Sequence, residues 1–272
     1  MRNAPHILIN TPDIEIWPGG LLRARSNDDA RILARASHVL RRKHDGRYLG
    51  AQLQGGMMPL VTRLADEPGV GFALAALDAA RRQPKRIPPA AGELPLHQLQ
   101  LRLQQLDLDA DAYAAHTGLP LVAEPLHLHL AGFDRYRRPL WLTKGAARGW
   151  QRMQQAAAID GLALDAISGY RSHAYQLGIF ERKLARGLSV ADILTVNAAP
   201  GYSEHHSGAA LDISAPGEPP AEESFEHTAA FAWLQQHAPG FGFHMSYPRD
   251  NPHGIVYEPW HWCYRSDEHA HA

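Results

Sequence analysis

The chain has a single cysteine, Cys263, among 272 residues. No internal disulfide can form, so the fold must rest on packing and on any metal it holds. No apolar run approaches the ~20 residues that span a bilayer, which excludes a membrane-spanning helix. The first residues, Met1 to Trp17, include Asp13 and Glu15 and lack both a basic start and a continuous apolar stretch. No secretion signal is visible there, and a soluble cytoplasmic protein is the expectation. Excess charge of either sign is also missing. The formal charge is −1 and the pI is near 7.0, which removes the broad electrostatic reason to bind nucleic acid or an anionic membrane. A small or neutral polar ligand fits better.

What the chain does have is histidine, 17 in all. Those of the terminal Glu268-His-Ala-His-Ala272 read as a solvated tail, so only spacing separates ligands from decoration. The length favours one catalytic domain plus a smaller unit. Ser26-Asn-Asp-Asp29 resembles a helix start and leads into Ala30 to Lys43, with apolar residues at helical intervals and Gly46 as its stop. Met58 to Arg82 reads as helix in two pieces around Pro68-Gly69. Pro84, Pro88, Pro89, Gly92 and Pro95 then form the best internal linker. Leu96, Leu99, Leu103 and Leu106 make a helical stripe, although Leu99, Leu101 and Leu103 also alternate as in a strand. The expectation is α+β: residues 1–125 form a mainly helical N-terminal segment, a buttress or a partner-binding unit. Residues 126–272 form a second part, a small antiparallel sheet flanked by helices.

In that second half, Leu126 to Leu130 reads as a strand with His127 and His129 on one face, an ordinary half-exposed strand rather than a metal pair. Thr143 caps a helix through Trp150, Met153 and Ala157 that Asp160-Gly161 ends, and a strand follows from Leu162 to Ile167. Ser172, Ser189 and Thr228 start further helices. The stretch Ser203-Glu-His-His-Ser-Gly-Ala-Ala-Leu-Asp212 sets His205 and Asp212 either side of Gly208. Imidazole and carboxylate both suit zinc, and a strand through Ala210 to Ile213 would aim Asp212 into a cleft while Leu211 faces the core. The third ligand comes from Tyr257-Glu-Pro-Trp-His-Trp262. On an unbroken strand Glu258 and His261 would face opposite ways, but Pro259 marks an irregularity that can turn both to one point. Read without the first motif, this is an aromatic strand with polar residues facing solvent.

Two neutral histidines and a carboxylate leave zinc a net positive charge and an open position, the pattern of catalytic sites, where the pKa of water falls to about 7. Glu258 is placed as general base and Arg171 as the cation for a developing oxyanion, its plainer alternative being a surface ion pair.

Taken together these residues closely resemble the D-alanyl-D-alanine carboxypeptidases of the vancomycin-resistance type, in the zinc peptidase group that includes lysostaphin-like enzymes and hedgehog. The resemblance covers roughly Leu130 to Arg265 through Asp160-Gly-Leu, Ser168-Gly-Tyr-Arg-Ser172, Gln176, Pro200-Gly-Tyr-Ser-Glu-His205, Gly208 with Asp212, Phe241-Gly-Phe243, Ser246-Tyr-Pro248 and Tyr257 to Trp262. It implies that residues 126–272 form a zinc carboxypeptidase domain, with His205, Asp212 and His261 as zinc ligands, Glu258 as base and Arg171 as oxyanion or substrate clamp. It further implies that Ser203 and Gln176 bind the substrate's C-terminal end, with Tyr170 beside them. The Glu-Pro-Trp-His-Trp form is similar to the branch acting on peptidoglycan stem peptides, implying release of a terminal D-alanine from a muropeptide by D,D or L,D cleavage. Two alternatives stand beside it: an endopeptidase cutting within the stem, and a non-catalytic zinc-stabilised binding module. Cys263 departs from the pattern, standing where relatives usually show arginine.

Overall fold

The computed structural model describes residues 6–24, 26–82 and 92–265. Pro84, Pro88 and Pro89 of the expected linker and the histidine tail lie outside the described residues. The chain forms two compact units: residues up to Pro95 together with Pro125–His129, and Leu96–Glu124 together with the residues from Leu130 onward. The α+β expectation holds, since both units combine helices with antiparallel strands.

The first unit corrects the helical expectation for the N-terminal part. Its elements are β1 (Ile7–Asn10), β2 (Ile14–Pro18), α1 (Asn27–Leu33), β3 (His38–Arg42), β4 (Tyr48–Leu53), β5 (Gly56–Pro59) and α2 (Val70–Arg82). The strands lie in the order β5-β4-β3-β2-β1, and residues 127–129 follow antiparallel beyond β1. Ser26 does cap α1 by accepting from Asp29 N–H, but the helix stops at Leu33. Val39 and Leu40 have a helix-compatible spacing from Leu33 and Ala36, yet they pair with Trp17 and Ile16 on one side and with Ala51 and Gly50 on the other. Sheet partners distant in sequence outweigh a weak local helix preference. Gly46, at φ 70°, turns the β3–β4 hairpin, with its N–H donating to Arg42 O at 2.9 Å. Only the second of the two helical pieces expected between Met58 and Arg82 is α-helix, beginning after Gly69.

The second unit opens with α3 (His97–Gln105) and α4 (Ala110–Thr117), so the leucine stripe is helical: Leu99 and Leu103 are buried while Leu101 is exposed. The chain passes through β6 (His127–Phe133) to β7 (Pro139–Leu142), α5 (Lys144–Ile159), β8 (Asp165–Ser168), α6 (His173–Leu184) and α7 (Val190–Leu194). A 3₁₀ turn at Glu204–Ser207, β9 (Ala210–Ser214), α8 (Ala229–His237), β10 (Phe243–Met245) and β11 (His261–Tyr264) complete it. Ser172, Ser189 and Thr228 all cap their helices as expected. Thr143 occupies the cap position of α5 without a side-chain bond.

The sheet that carries the site runs β10-β11-β9-β8, antiparallel throughout. One of its faces is apolar. Leu211, Ile213 and Trp262 pack there with Trp150 and Met153 of α5 and Phe231 and Leu234 of α8. Each such large side chain, fully buried, contributes about 1.5–3 kcal/mol. This layer fixes the sheet, and alternation along β9 and β11 leaves Asp212 and His261 on the opposite face. Among the described residues no helix is long and apolar enough to cross a membrane.

Candidate active site

The site forms where three short elements meet on the polar face of that sheet. His205 sits on the 3₁₀ turn, which ends at Gly208 in the left-handed region, φ 68°, a conformation glycine adopts without cost. Its Nδ1 donates to Gly169 O at 2.8 Å, leaving Nε2 3.3 Å from Asp212 Oδ2. His261 opens β11 directly opposite Asp212 in the ladder. Its Nε2 donates to Glu204 Oε2 at 2.9 Å, and its Nδ1 stands 3.2 Å from Asp212 Oδ1. Each imidazole is therefore oriented by a partner on one nitrogen and presents the other towards Asp212, as metal-ligating histidines do. One ligand atom from each of His205, Asp212 and His261 lies within 4.8 Å of the other two.

The electrostatics of this cluster favour a cation. Burial alone would lower the His261 pKa, but hydrogen bonds with Asp212 and Glu204 push it up to about 10. Burial opposes ionisation of Asp212 as well, yet His205 and His261 hold it well below the usual carboxylate range. Glu204 is held at about 2 by His261 against the same penalty. The Asp212 carboxylate with the two imidazoles makes a donor set of nitrogen and oxygen that fits zinc, and Glu204 faces the far nitrogen of His261.

Glu258 precedes β11 in a turn through Pro259 and Trp260. Its N–H donates to Tyr247 O at 3.0 Å and its carbonyl accepts from His261 N–H at 3.1 Å. This turn, rather than a bulge within a strand, sets its Oε2 3.7 Å from His261 Nδ1. Burial pushes its carboxyl up to about 7, offset in part by His261 and Arg171. Arg171 follows β8, and its Nη1 donates to Gln176 Oε1 at 2.9 Å. Both side chains line, with Ser203, Glu258 and the His205–Asp212–His261 cluster, a cleft of about 330 Å³ that Val196 and Val256 also line.

Of the expected substrate contacts, Ser203 and Gln176 line the cleft and Tyr170 is not among its lining residues. Gln176 is 1% exposed, and it accepts from Arg171 while donating to Ala198 O at 3.0 Å, which makes it a strut beneath the guanidinium. The Tyr170 hydroxyl donates to Glu124 Oε2 at 2.6 Å. His127 and His129 lie on β6, as an ordinary strand would place them, and take no part in the cluster. The sequence reading missed Ser168, whose Oγ donates to Asp212 Oδ2 at 2.6 Å, and Glu204. Glu204 had a visible signal, an acid adjoining a candidate ligand.

Residues 139–267 match the model of the VanY family, described as D-alanyl-D-alanine carboxypeptidase. The chain is 36% identical over 137 residues to a carboxypeptidase-like protein of Bacillus subtilis, YodJ, covering 48% of this chain and 49% of that one. It is 30% identical over 152 residues to VanXYC of Enterococcus gallinarum, a bifunctional D-Ala-D-Ala dipeptidase and carboxypeptidase, covering 54% of this chain and 78% of the relative. Among solved structures it is similar to the LD-carboxypeptidase LdcB, with 33% identity, a TM-score of 0.46, and coverage of 49% of this chain and 64% of that one. The chain thus spans about half the length of the Bacillus subtilis relative.

Proposed function

Because the chain belongs to the VanY-type D-alanyl-D-alanine carboxypeptidase family, we propose that it is a zinc carboxypeptidase that removes a C-terminal D-alanine from peptidoglycan stem peptides or their precursors. The observation that carries this reading is the convergence of His205, Asp212 and His261 within 4.8 Å, beside a half-buried carboxyl, Glu258, in one cleft. His205, Asp212 and His261 would hold the metal. When bound, zinc supplies a Lewis acid that polarises the scissile carbonyl and makes water more acidic.

The remaining chemistry belongs to the chain. Glu258, raised to about 7 by burial, has the proton affinity a general base needs near neutrality. It takes the proton of the attacking water and returns it to the leaving amine. The Arg171 guanidinium, fixed by Gln176, meets either the developing oxyanion or the carboxylate at the substrate's end. Glu204 and Ser168 hold His261 and Asp212 in their ligating orientation.

The test is zinc content together with D-alanine release from tetra- and pentapeptide stems, comparing wild type with Glu258→Ala. One zinc per chain and Glu258-dependent release are expected, and the peptide consumed gives the bond preference. Two peptide fragments instead of free D-alanine would make the protein an endopeptidase. A chain without zinc would overturn the reading.

A further inference from the structure

Glu124 lies between α4 and β6, ahead of the stretch that matches the family, and it is 3% exposed. A carboxylate so deeply buried must be compensated by hydrogen bonds. Its Oε2 accepts from the Tyr170 hydroxyl at 2.6 Å and its Oε1 from the His173 backbone N–H at 2.7 Å. His173 is the first residue of α6, whose leading amides have no helical acceptor and whose positive end favours a carboxylate. His173 Nε2 donates to Val122 O at 2.8 Å, so the same segment grips the corner twice.

Arg171 stands between the two residues that Glu124 holds. Its own backbone is tied to the metal-ligand turn: its N–H donates to His205 O at 3.1 Å, and its carbonyl accepts from His206 Nδ1 at 2.6 Å. His206 Nε2 accepts from Gly201 N–H at 3.1 Å, which fixes the proton on Nδ1. One side of the Arg171 corner thus rests on the turn carrying His205, and the other on a buried acid from outside the matched stretch.

We propose that Glu124 is a positioning residue for Arg171, fixing the 170–173 corner and so setting where the guanidinium stands in the cleft. The functional consequence rests on the carboxypeptidase reading; the geometric one does not. A carboxylate serving only to stabilise the fold would lower activity equally whether or not Arg171 is present, whereas one acting through Arg171 would not.

The experiment is a double-mutant cycle on the zinc-loaded full chain with Glu124→Ala, Arg171→Ala and the double variant, reading kcat/KM on an acetylated pentapeptide ending in D-Ala-D-Ala. Glu124→Ala is expected to lower kcat/KM about tenfold in wild type and by less than about twofold in the Arg171→Ala background. Equal losses in both backgrounds overturn the proposal. Should Glu124→Ala fail to fold, Glu124→Gln, which keeps the shape and removes the charge, enters the cycle with the same expected non-additivity. If wild type releases no D-alanine, the carboxypeptidase reading fails by itself. The ¹H–¹⁵N resonance of Arg171 Nε, assigned with Arg171→Lys, then decides: a shift in Glu124→Gln supports the positioning role and an unmoved resonance refutes it.

Discussion

Asp212 and His261 are register partners in the β9–β11 ladder, so two of the three candidate ligands are aligned by backbone pairing alone. A slip of one residue would turn His261 into the apolar layer and Trp262 towards the cleft. Asp212→Asn keeps the shape and the register while removing the charge that His205 and His261 share. Its expected outcome is loss of zinc with an unchanged far-ultraviolet circular dichroism spectrum, measured by metal analysis of the purified protein.

Ser168 and Glu204 hydrogen-bond to the candidate ligands Asp212 and His261, and their loss is expected to weaken metal binding rather than abolish it. Ser168→Ala and Glu204→Gln should each lower zinc affinity about 10–100-fold. Competition with a chelator of known strength measures this, and unchanged affinity in both variants would contradict the orienting role.

Glu258→Gln removes the proposed base and leaves the candidate ligands in place. D-alanine release should fall about 10²–10⁴-fold with zinc still bound at one per chain. A steady-state assay at saturating peptide checks the rate.

The loop that carries Glu258 is tied down by Glu226, which accepts from Arg249 at 2.7 Å and from the Tyr257 hydroxyl at 3.0 Å. Arg249 also lies 4.0 Å from the centre of the Tyr257 ring. The hydrogen bond from Arg249 holds the Glu226 carboxyl below its ordinary value of 4.5 against the cost of burial, with Tyr257 adding to the effect. A depressed folded-state pKa contributes stability above the ordinary value, and that contribution disappears as the pH falls through the folded one. Wild type should therefore melt above Glu226→Gln at neutral pH, and the difference should close below pH 4.5. Thermal melts across that range supply the measurement.

Gly201 adopts φ 93°, and a Cβ there would come within 2.3 Å of Leu99 Cδ2. Leu99 is buried in α3 and has little room to yield, so Gly201→Ala should destabilise the protein by about 1–3 kcal/mol. Because Gly201 also donates to His206, the substitution should raise KM as well. Chemical denaturation and steady-state kinetics test the two effects separately.

The parts of the site that were legible in the sequence are the ones governed by local geometry. The spacing of His205 and Asp212 around Gly208 follows from one turn and one strand, and Pro259 signalled the irregularity that brings Glu258 beside His261. Helix starts at Ser172, Ser189 and Thr228 were legible because capping involves only adjacent residues. The β3 strand was not. Val39 and Leu40 satisfy a helical stripe and a strand equally, and their partners lie in β2 and β4, ten or more residues away on either side. Tyr170 and Glu124 were illegible for a related reason: no pattern near Tyr170 announces that its hydroxyl is taken by an acid 46 positions earlier.

The division of the chain has a practical consequence for anyone trimming it. Residues 96–124 belong with the unit that carries the candidate site, whereas 125–129 belong with the earlier strands, so no single cut separates the two units cleanly. A fragment limited to the family-matching stretch discards Glu124 and both helices beside Gly201. A fragment beginning at Leu96 keeps them but strips residues 127–129 of their partner strand β1, exposing an unpaired edge prone to self-association. A shortened version suited to crystallisation or expression therefore needs residues from 96 onward and a charged or proline substitution at that edge.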